Sequence, residues 1–355
     1  VPAEPNSTPW RRNIEDLSRG LSKWSEQRFP GSSLGDCVMP DNGMANDTLL
    51  FAIDNERYVA RLAPHSASPF PTFPTFDLDL QATCLHLVRE RTTVPVPEVV
   101  HNEDNAEWLG APFLVMRHID GEVPRDTPPY VAQGWMTLLS ANNRAVLEES
   151  TVEVLAGIHT VRDPSDLRKV SEHASRDAPL HCQVESQRAY YEWARDGRRA
   201  PAIEEAFAVL ERVMPASVRT VLNWGDSRIG NIIYRDCRPV GILDWEMVTV
   251  GPPEVDVAWM VFMHLFMQDM VTAYGLPGMP ELFRQERVVE LYERFSGEVL
   301  DDLSWYIAFA GLRFAIILLR MGLRSIAFGQ RPPADDADDV FLFAPLLRKL
   351  ISVIE

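Results

Sequence analysis

Residues 220–246, TVLNWGDSRIGNIIYRDCRPVGILDWE, set two short apolar runs, IIY and VGIL, on either side of the polar turn RDCRP. Runs of β-forming residues split by a turn cluster read as a hairpin, and this one interrupts a half of the chain whose pattern is otherwise helical. Antiparallel strands would bring Asn231, just before the first strand, close to Asp244, just after the second. Asp226 lies five positions before Asn231 on the same incoming loop. Two carboxylates and a carboxamide therefore converge at one end of the hairpin. Hard oxygen donors of this kind suit Mg²⁺, which binds through one or two carboxylates plus substrate phosphates. Alone, Gly225-Asp226-Ser227 is ordinary turn composition. The spacing of Asp226 to Asn231 and Asp244 is what gives it chemical meaning.

The order of elements around this hairpin suggests an α+β chain. Ile14, Leu17, Leu21 and Trp24 fall at helical spacing within residues 10–29, so an amphipathic helix leads. TLLFAIDNERYVARLA (residues 48–63) reads as a hairpin turning at Asp54-Asn55. Residues 64–76 are a Pro- and Ser-rich loop, 77–92 a helix, and VPVPEVVHN an extended stretch, because each Pro biases its predecessor away from helix. FLVMRHI follows as a strand ended by Asp120-Gly121. Beyond about residue 130 helices dominate, notably 151–161, 201–214 and 281–328. The pattern predicts an N-terminal lobe over residues 1–117 and a helical C-terminal lobe over 118–355.

Composition narrows the functional classes. With 355 residues, 46% hydrophobic and 24% charged, the chain has the balance of an ordinary folded protein. A net charge of −17 and short basic runs such as Arg198-Arg199 argue against a nucleic-acid partner and against anionic membranes. Four well-separated cysteines, Cys37, Cys84, Cys182 and Cys237, form no CxxC pair, which suits a reducing cytoplasm rather than a zinc or disulfide framework. The first residues, VPAEPNSTPWRR, lack the apolar core of a signal peptide. SWYIAFAGLRFAIILLRMGL is interrupted by Arg313 and Arg320 and reads as a buried helix, not a membrane span.

The Asp–Asn–Asp arrangement matches the catalytic part of a kinase site, where one Asp takes the acceptor hydroxyl proton while an Asn and a second Asp hold metal. WGDSRIGN (224–231), ILDWE (242–246) and GPPEVDVAW (251–259) together resemble the aminoglycoside phosphotransferase/choline kinase-like family. That resemblance implies a protein-kinase-like two-lobe fold, with a small antiparallel N-terminal sheet and a larger, mainly helical C-terminal lobe. It implies Asp226 as catalytic base and Asn231 and Asp244 as Mg²⁺ ligands. YVARLAP resembles the family's YVLRxxP strand, which puts Arg61 on the nucleotide phosphates. DNGMANDT (41–48) is then the nucleotide-covering loop, with Gly43 allowing close backbone approach. GAPFLVMRHIDG (110–121) resembles the family's linker, so Met116, Arg117 and His118 should meet adenine through backbone groups. Trp224 stands where the family has His, with altered packing and retained chemistry expected. Gln81 stands where a Glu normally pairs with the basic residue, and Asp79 lies nearby.

Other residues carry quieter readings. Asp256, behind Pro252-Pro253, suits N-terminal helix stabilisation, and His159 suits local packing and hydrogen bonding. The stripe Trp259, Met260, Met263, His264, Phe266, Met267 is most simply a core face. Glu246 is divided between a place near the site and the surface, and ADDADD (334–339) reads as a solvated loop. The resemblance implies an ATP- or GTP- and Mg²⁺-dependent transfer of the γ-phosphoryl group to a small hydroxyl-bearing substrate. A nucleotide-binding or scaffold protein of the same fold with weak catalysis is the alternative. The acceptor stays open: a cationic aminoglycoside would need a cluster of carboxylates, and an apolar hydroxy acid or acyl thioester an apolar lining.

Overall fold

The computed structural model describes residues 12–40, 47–64, 70–171, 178–216, 219–341 and 343–355. Helix α1 (Ile14–Arg28) starts where the Asn13 side chain accepts the N–H groups of Glu15 and Asp16 at 2.7 and 3.3 Å. Strands β1 (Thr48–Ile53) and β2 (Glu56–Leu62) turn at Asp54 and Asn55, whose φ of 49° and 73° is the left-handed pair a two-residue hairpin requires. After α2 (Leu78–Arg91), strands β3 (Val99–Glu103) and β4 (Phe113–Arg117) complete an antiparallel sheet in the order β1-β2-β4-β3.

Alternation along β4 divides this sheet between two cores. Phe113 and Val115 face the cluster built by Leu17, Leu21 and Trp24 of α1 with Leu49 and Phe51. Leu114 and Met116 face the main core, together with Leu85 and Val88 of α2. The leading helix is thus a cover for the sheet, pinned where the Trp24 indole donates to Glu103 at 3.1 Å.

The remainder is mainly helical: α3 (Ala141–Ile158), α4 (Pro164–Val170), α5 (Pro179–Ala194), α6 (Pro201–Arg212), α7 (Glu254–Ala273), α8 (Gln285–Ser296), α9 (Ser304–Ala327), α10 (Asp338–Phe341) and α11 (Ala344–Ile351). The fold is therefore the α+β one expected, an antiparallel sheet followed by a larger helical part. The predicted helical run 281–328 is two helices, because Gly297, at φ 72°, closes α8 in the left-handed conformation. Helix α9 is long and apolar enough to cross a membrane, yet 78% of its most apolar window is buried inside the protein. ADDADD is only partly a solvated loop: Asp338 is buried, accepts Ala202 N–H at the start of α6 and pairs with Arg348 at 2.5 Å.

Two small antiparallel pairs frame the loop of interest. Strands β5 (Val221–Asn223) and β8 (Thr249–Gly251) form one, and β6 (Ile232–Arg235) and β7 (Arg238–Ile242) the other. The β6–β7 turn again uses a left-handed pair, Asp236 and Cys237 at φ 51° and 62°. Ile232 faces Ile242, and Leu243 N–H donates to the Asn231 carbonyl at 2.8 Å. The hairpin predicted for residues 220–246 is thus β6–β7, with Asn231 and Asp244 at its open end.

Candidate active site

Strand β5 delivers the chain to Gly225, whose φ of 91° is left-handed and where a Cβ would stand 1.9 Å from the Met247 carbonyl oxygen. Only glycine lets the loop pass there and present Asp226. One Asp226 oxygen accepts from the Trp259 indole at 2.7 Å, the other from Asn231 Nδ2 at 2.7 Å and from Arg228 Nε at 3.1 Å. Three donors from two elements hold the carboxylate in one orientation. Because the Asn231 nitrogen is committed to Asp226, its amide oxygen is the atom left for a cation.

Asp244 occupies a left-handed backbone position, φ 57°, uncommon for a residue with a side chain and concentrated at functional sites. From there it meets Arg61 of β2: one guanidinium nitrogen lies 2.6 Å from Asp244 Oδ1 and 2.8 Å from Glu246 Oε2. Burial alone would lower the Arg61 pKa, but the two carboxylates outweigh it and raise it. This contact ties the N-terminal sheet to the open end of the β6–β7 hairpin. Arg61 therefore has ionic partners, although Gln81 is not among them. Gln81 is buried with its amide nitrogen unpaired among the described residues, and Asp79 accepts from Asn102 instead.

Several residues around this centre were missed or underread in the sequence. Asp256, in the first turn of α7, is fully buried and accepts Trp224 N–H at 2.6 Å, Gly225 N–H at 3.0 Å and the His159 ring at 3.1 Å. Helix stabilisation was too small a role: Asp256 holds the backbone of the Asp226 loop. His159, bonded also to Tyr292 at 2.7 Å, packs and bonds locally as expected. Trp224 replaces the family His by reaching across the site, its indole donating to the Leu243 carbonyl at 2.8 Å beside Asp244. Arg228 joins Asp226 to Asp126 at 2.6 Å, and these two carboxylates raise its pKa against the opposing effect of burial. The stripe on α7 is core: Met260, Met263 and Met267 are buried, and His264 lies between Tyr130 OH at 2.8 Å and the Met279 carbonyl at 3.0 Å. Burial lowers His264 to about 4. Trp259 on that stripe is the exception, because its ring edge serves Asp226.

The predicted adenine segment lies at the end of β4. The Arg117 and His118 N–H groups already donate to the Glu98 and Arg57 carbonyls at 2.9 and 3.0 Å, while the Arg117 side chain pairs with Glu56. Met116 is buried against the main core. Gly43 lies outside the described residues. Beside the Arg61–Glu246 contact opens a cavity of about 310 Å³ walled by α5, residues 246–250 and α9, with Tyr190, Gln187, Glu246 and Arg313 in its lining.

The sequence pattern of the phosphotransferase enzyme family matches residues 38–283, a span that holds Arg61, Asp226, Asn231 and Asp244. The chain belongs to that phosphotransferase family. Mouse acyl-CoA dehydrogenase family member 10 is 25% identical over 339 residues, which cover 91% of this phosphotransferase-family chain and 30% of the mouse protein. The chain thus spans about a third of the length of the curated relatives it matches. Among solved structures, a candidate aminoglycoside phosphotransferase from Ralstonia eutropha superposes with a TM-score of 0.68 at 21% identity, covering 95% of this chain and 97% of that one. Aminoglycoside phosphotransferase APH(4)-Ia, in a ternary complex with AMP-PNP and hygromycin B, superposes with a TM-score of 0.60 at 16% identity, covering 94% and 97%. These likenesses establish the kinase-like phosphotransferase fold.

Proposed function

We propose that this phosphotransferase moves the γ-phosphoryl group of ATP to a hydroxyl of a small molecule. The observation that carries the reading is the meeting of Asp226, Asn231 and the Asp244–Arg61 pair at one end of the hairpin, with Asp226 held by three donors. Asp226 orients the acceptor hydroxyl and takes its proton as the new oxygen–phosphorus bond forms and the bond to the β-phosphate oxygen breaks, leaving ADP and a phosphate ester. Arg61, on entry of nucleotide, exchanges carboxylate for phosphate oxygens, for which its planar fork is equally suited. The neighbour of the same fold solved with AMP-PNP supports a nucleotide in this cleft.

The donor set fits Mg²⁺: a carboxylate from Asp244 and the amide oxygen of Asn231 are the few hard ligands this ion takes when phosphates complete its shell. Bound there, the ion would neutralise charge on the nucleotide phosphates. The Leu243 N–H bond to the Asn231 carbonyl joins the backbones that carry the two ligands, and the Trp224 indole holds the Leu243 carbonyl beside Asp244.

The acceptor is an acyl compound bearing a hydroxyl rather than a cationic aminoglycoside. Among the described residues lining the 310 Å³ cavity the one carboxylate is Glu246, and Arg61 already engages it. The names of the relatives, acyl-CoA dehydrogenase family members, point the same way. The second reading, nucleotide binding with weak transfer, draws on Arg61 lying on Asp244 itself, a contact that metal and nucleotide must displace. Asp226→Ala separates the two: it is expected to keep AMP-PNP binding and lower transfer by about a thousandfold. Turnover equal to wild type would end the role given to Asp226.

A further inference from the structure

Arg313, on α9, is 4% exposed and lines the cavity between α5, α9 and the segment after Asp244. One of its terminal nitrogens donates to the Gly225 carbonyl at 2.9 Å, and its guanidinium lies 4.4 Å from the centre of the Trp259 ring. The other terminal nitrogen, Nη1, is buried with no hydrogen-bond partner among the described residues. No carboxylate stands within ion-pair distance of it among the described residues, whereas Arg61 and Arg228 each touch two. A buried cation without a counter-ion is costly, and an unpaired donor on it costs more. Burial lowers Arg313 to about 10, an effect that Asp256 and Asp226 only partly offset from farther away. In a chain with seventeen more acidic than basic side chains, supplying a carboxylate here would have been simple. The site instead leaves a buried cation without a counter-ion beside the loop that carries Asp226, on a residue that lines the cavity.

We propose that Arg313 binds an oxyanion of the acceptor, a carboxylate or phosphate, and so selects acceptors that carry a negative group near the hydroxyl to be phosphorylated. Gln187 of α5, whose amide can donate to such an anion, lines the same cavity. The anion replaces the counter-ion that the fold withholds, on a residue that touches Gly225, which precedes Asp226, and Trp259, which donates to it. Arg313 is then a specificity-determining residue as well as a clamp on the Gly225 carbonyl. This inference rests on the phosphotransferase reading of the site.

The test is calorimetric titration of the full chain, saturated with AMP-PNP and Mg²⁺, with two matched pairs: 4-hydroxybutanoate against 4-hydroxybutanamide, and glycerol 3-phosphate against glycerol. At least one anion should bind about tenfold more tightly than its neutral partner, as expected of a charge-assisted hydrogen bond, and the pair that does so tells carboxylate from phosphate. Arg313→Met should bring the ratio to about one with AMP-PNP affinity unchanged, and Arg313→Lys should restore part of it. Equal binding within both pairs in the wild type, or an unchanged ratio in Arg313→Met, overturns the proposal. Should Arg313→Met fail to fold, the wild-type pairs and Arg313→Lys still decide. Loss of the AMP-PNP signal in the wild type would instead refute the nucleotide site, a separate failure.

Discussion

The arginines of the hairpin side and those of α9 are the same residue in opposite circumstances. Arg61 and Arg228 sit between carboxylates, Asp244 with Glu246 and Asp226 with Asp126, which hold their pKa values up against burial. Arg313 and Arg320 have aromatic faces and backbone carbonyls instead: Trp259 and Gly225 for one, Phe70, Trp193 and Pro71 for the other. Burial lowers both. A cation already paired organises the protein and must exchange partners to bind phosphate; a cation left without a counter-ion can receive an anion without breaking a pair. On this contrast rests the proposal that Arg313 receives an anion of the acceptor.

Substitutions can break this contrast. Arg228→Met leaves Asp226 and Asp126 facing each other without their shared cation and should cost about 3–5 kcal/mol, read by urea unfolding, with most of the turnover. Acid should act next. Folded His264 has its pKa lowered to about 4, so the unfolded chain, near 6.5, binds the proton first. The stability it contributes is full above about pH 6.5 and is lost as pH falls toward 4, by roughly 3 kcal/mol at most. His264→Gln should flatten that part of the stability curve, and an unchanged curve would remove His264 as its source. Asp256→Asn should cost about 2–3 kcal/mol, because it weakens two charge-assisted bonds to the Asp226 loop, and should lower kcat more than it raises KM. Arg61→Lys keeps the charge but not the fork, so AMP-PNP affinity should fall about tenfold. Trp224→His should be mildest, within about threefold in kcat by the size of one neutral hydrogen bond, since either ring can support the loop by donating from nitrogen.

How much of this was legible in the sequence depends on range. The β6–β7 hairpin could be read because a polar turn separates two apolar runs, and the closeness of Asn231 and Asp244 follows from antiparallel pairing alone. The Arg61–Asp244 contact spans 183 positions and no local pattern announces it. Asp256 looked like a helix-start acid because propensity describes the helix it begins and not the loop packed on it. Periodicity placed Trp259 on a core stripe, correctly, and hid that an indole can be buried by its faces and polar at its edge. Arg313 entered the sequence reading only as a break in an apolar run. Its meaning depends on what is missing around it, and one helix cannot display that.

Asp244 and Asn231 are proposed to make a metal-dependent nucleotide site with Arg61. Calorimetric titration of the protein with AMP-PNP, with and without Mg²⁺, beside Asp244→Ala, tests it most directly. Binding should require Mg²⁺ in the wild type and be lost in Asp244→Ala. Binding indifferent to Mg²⁺ and to the substitution, or no binding by the wild type, would contradict it.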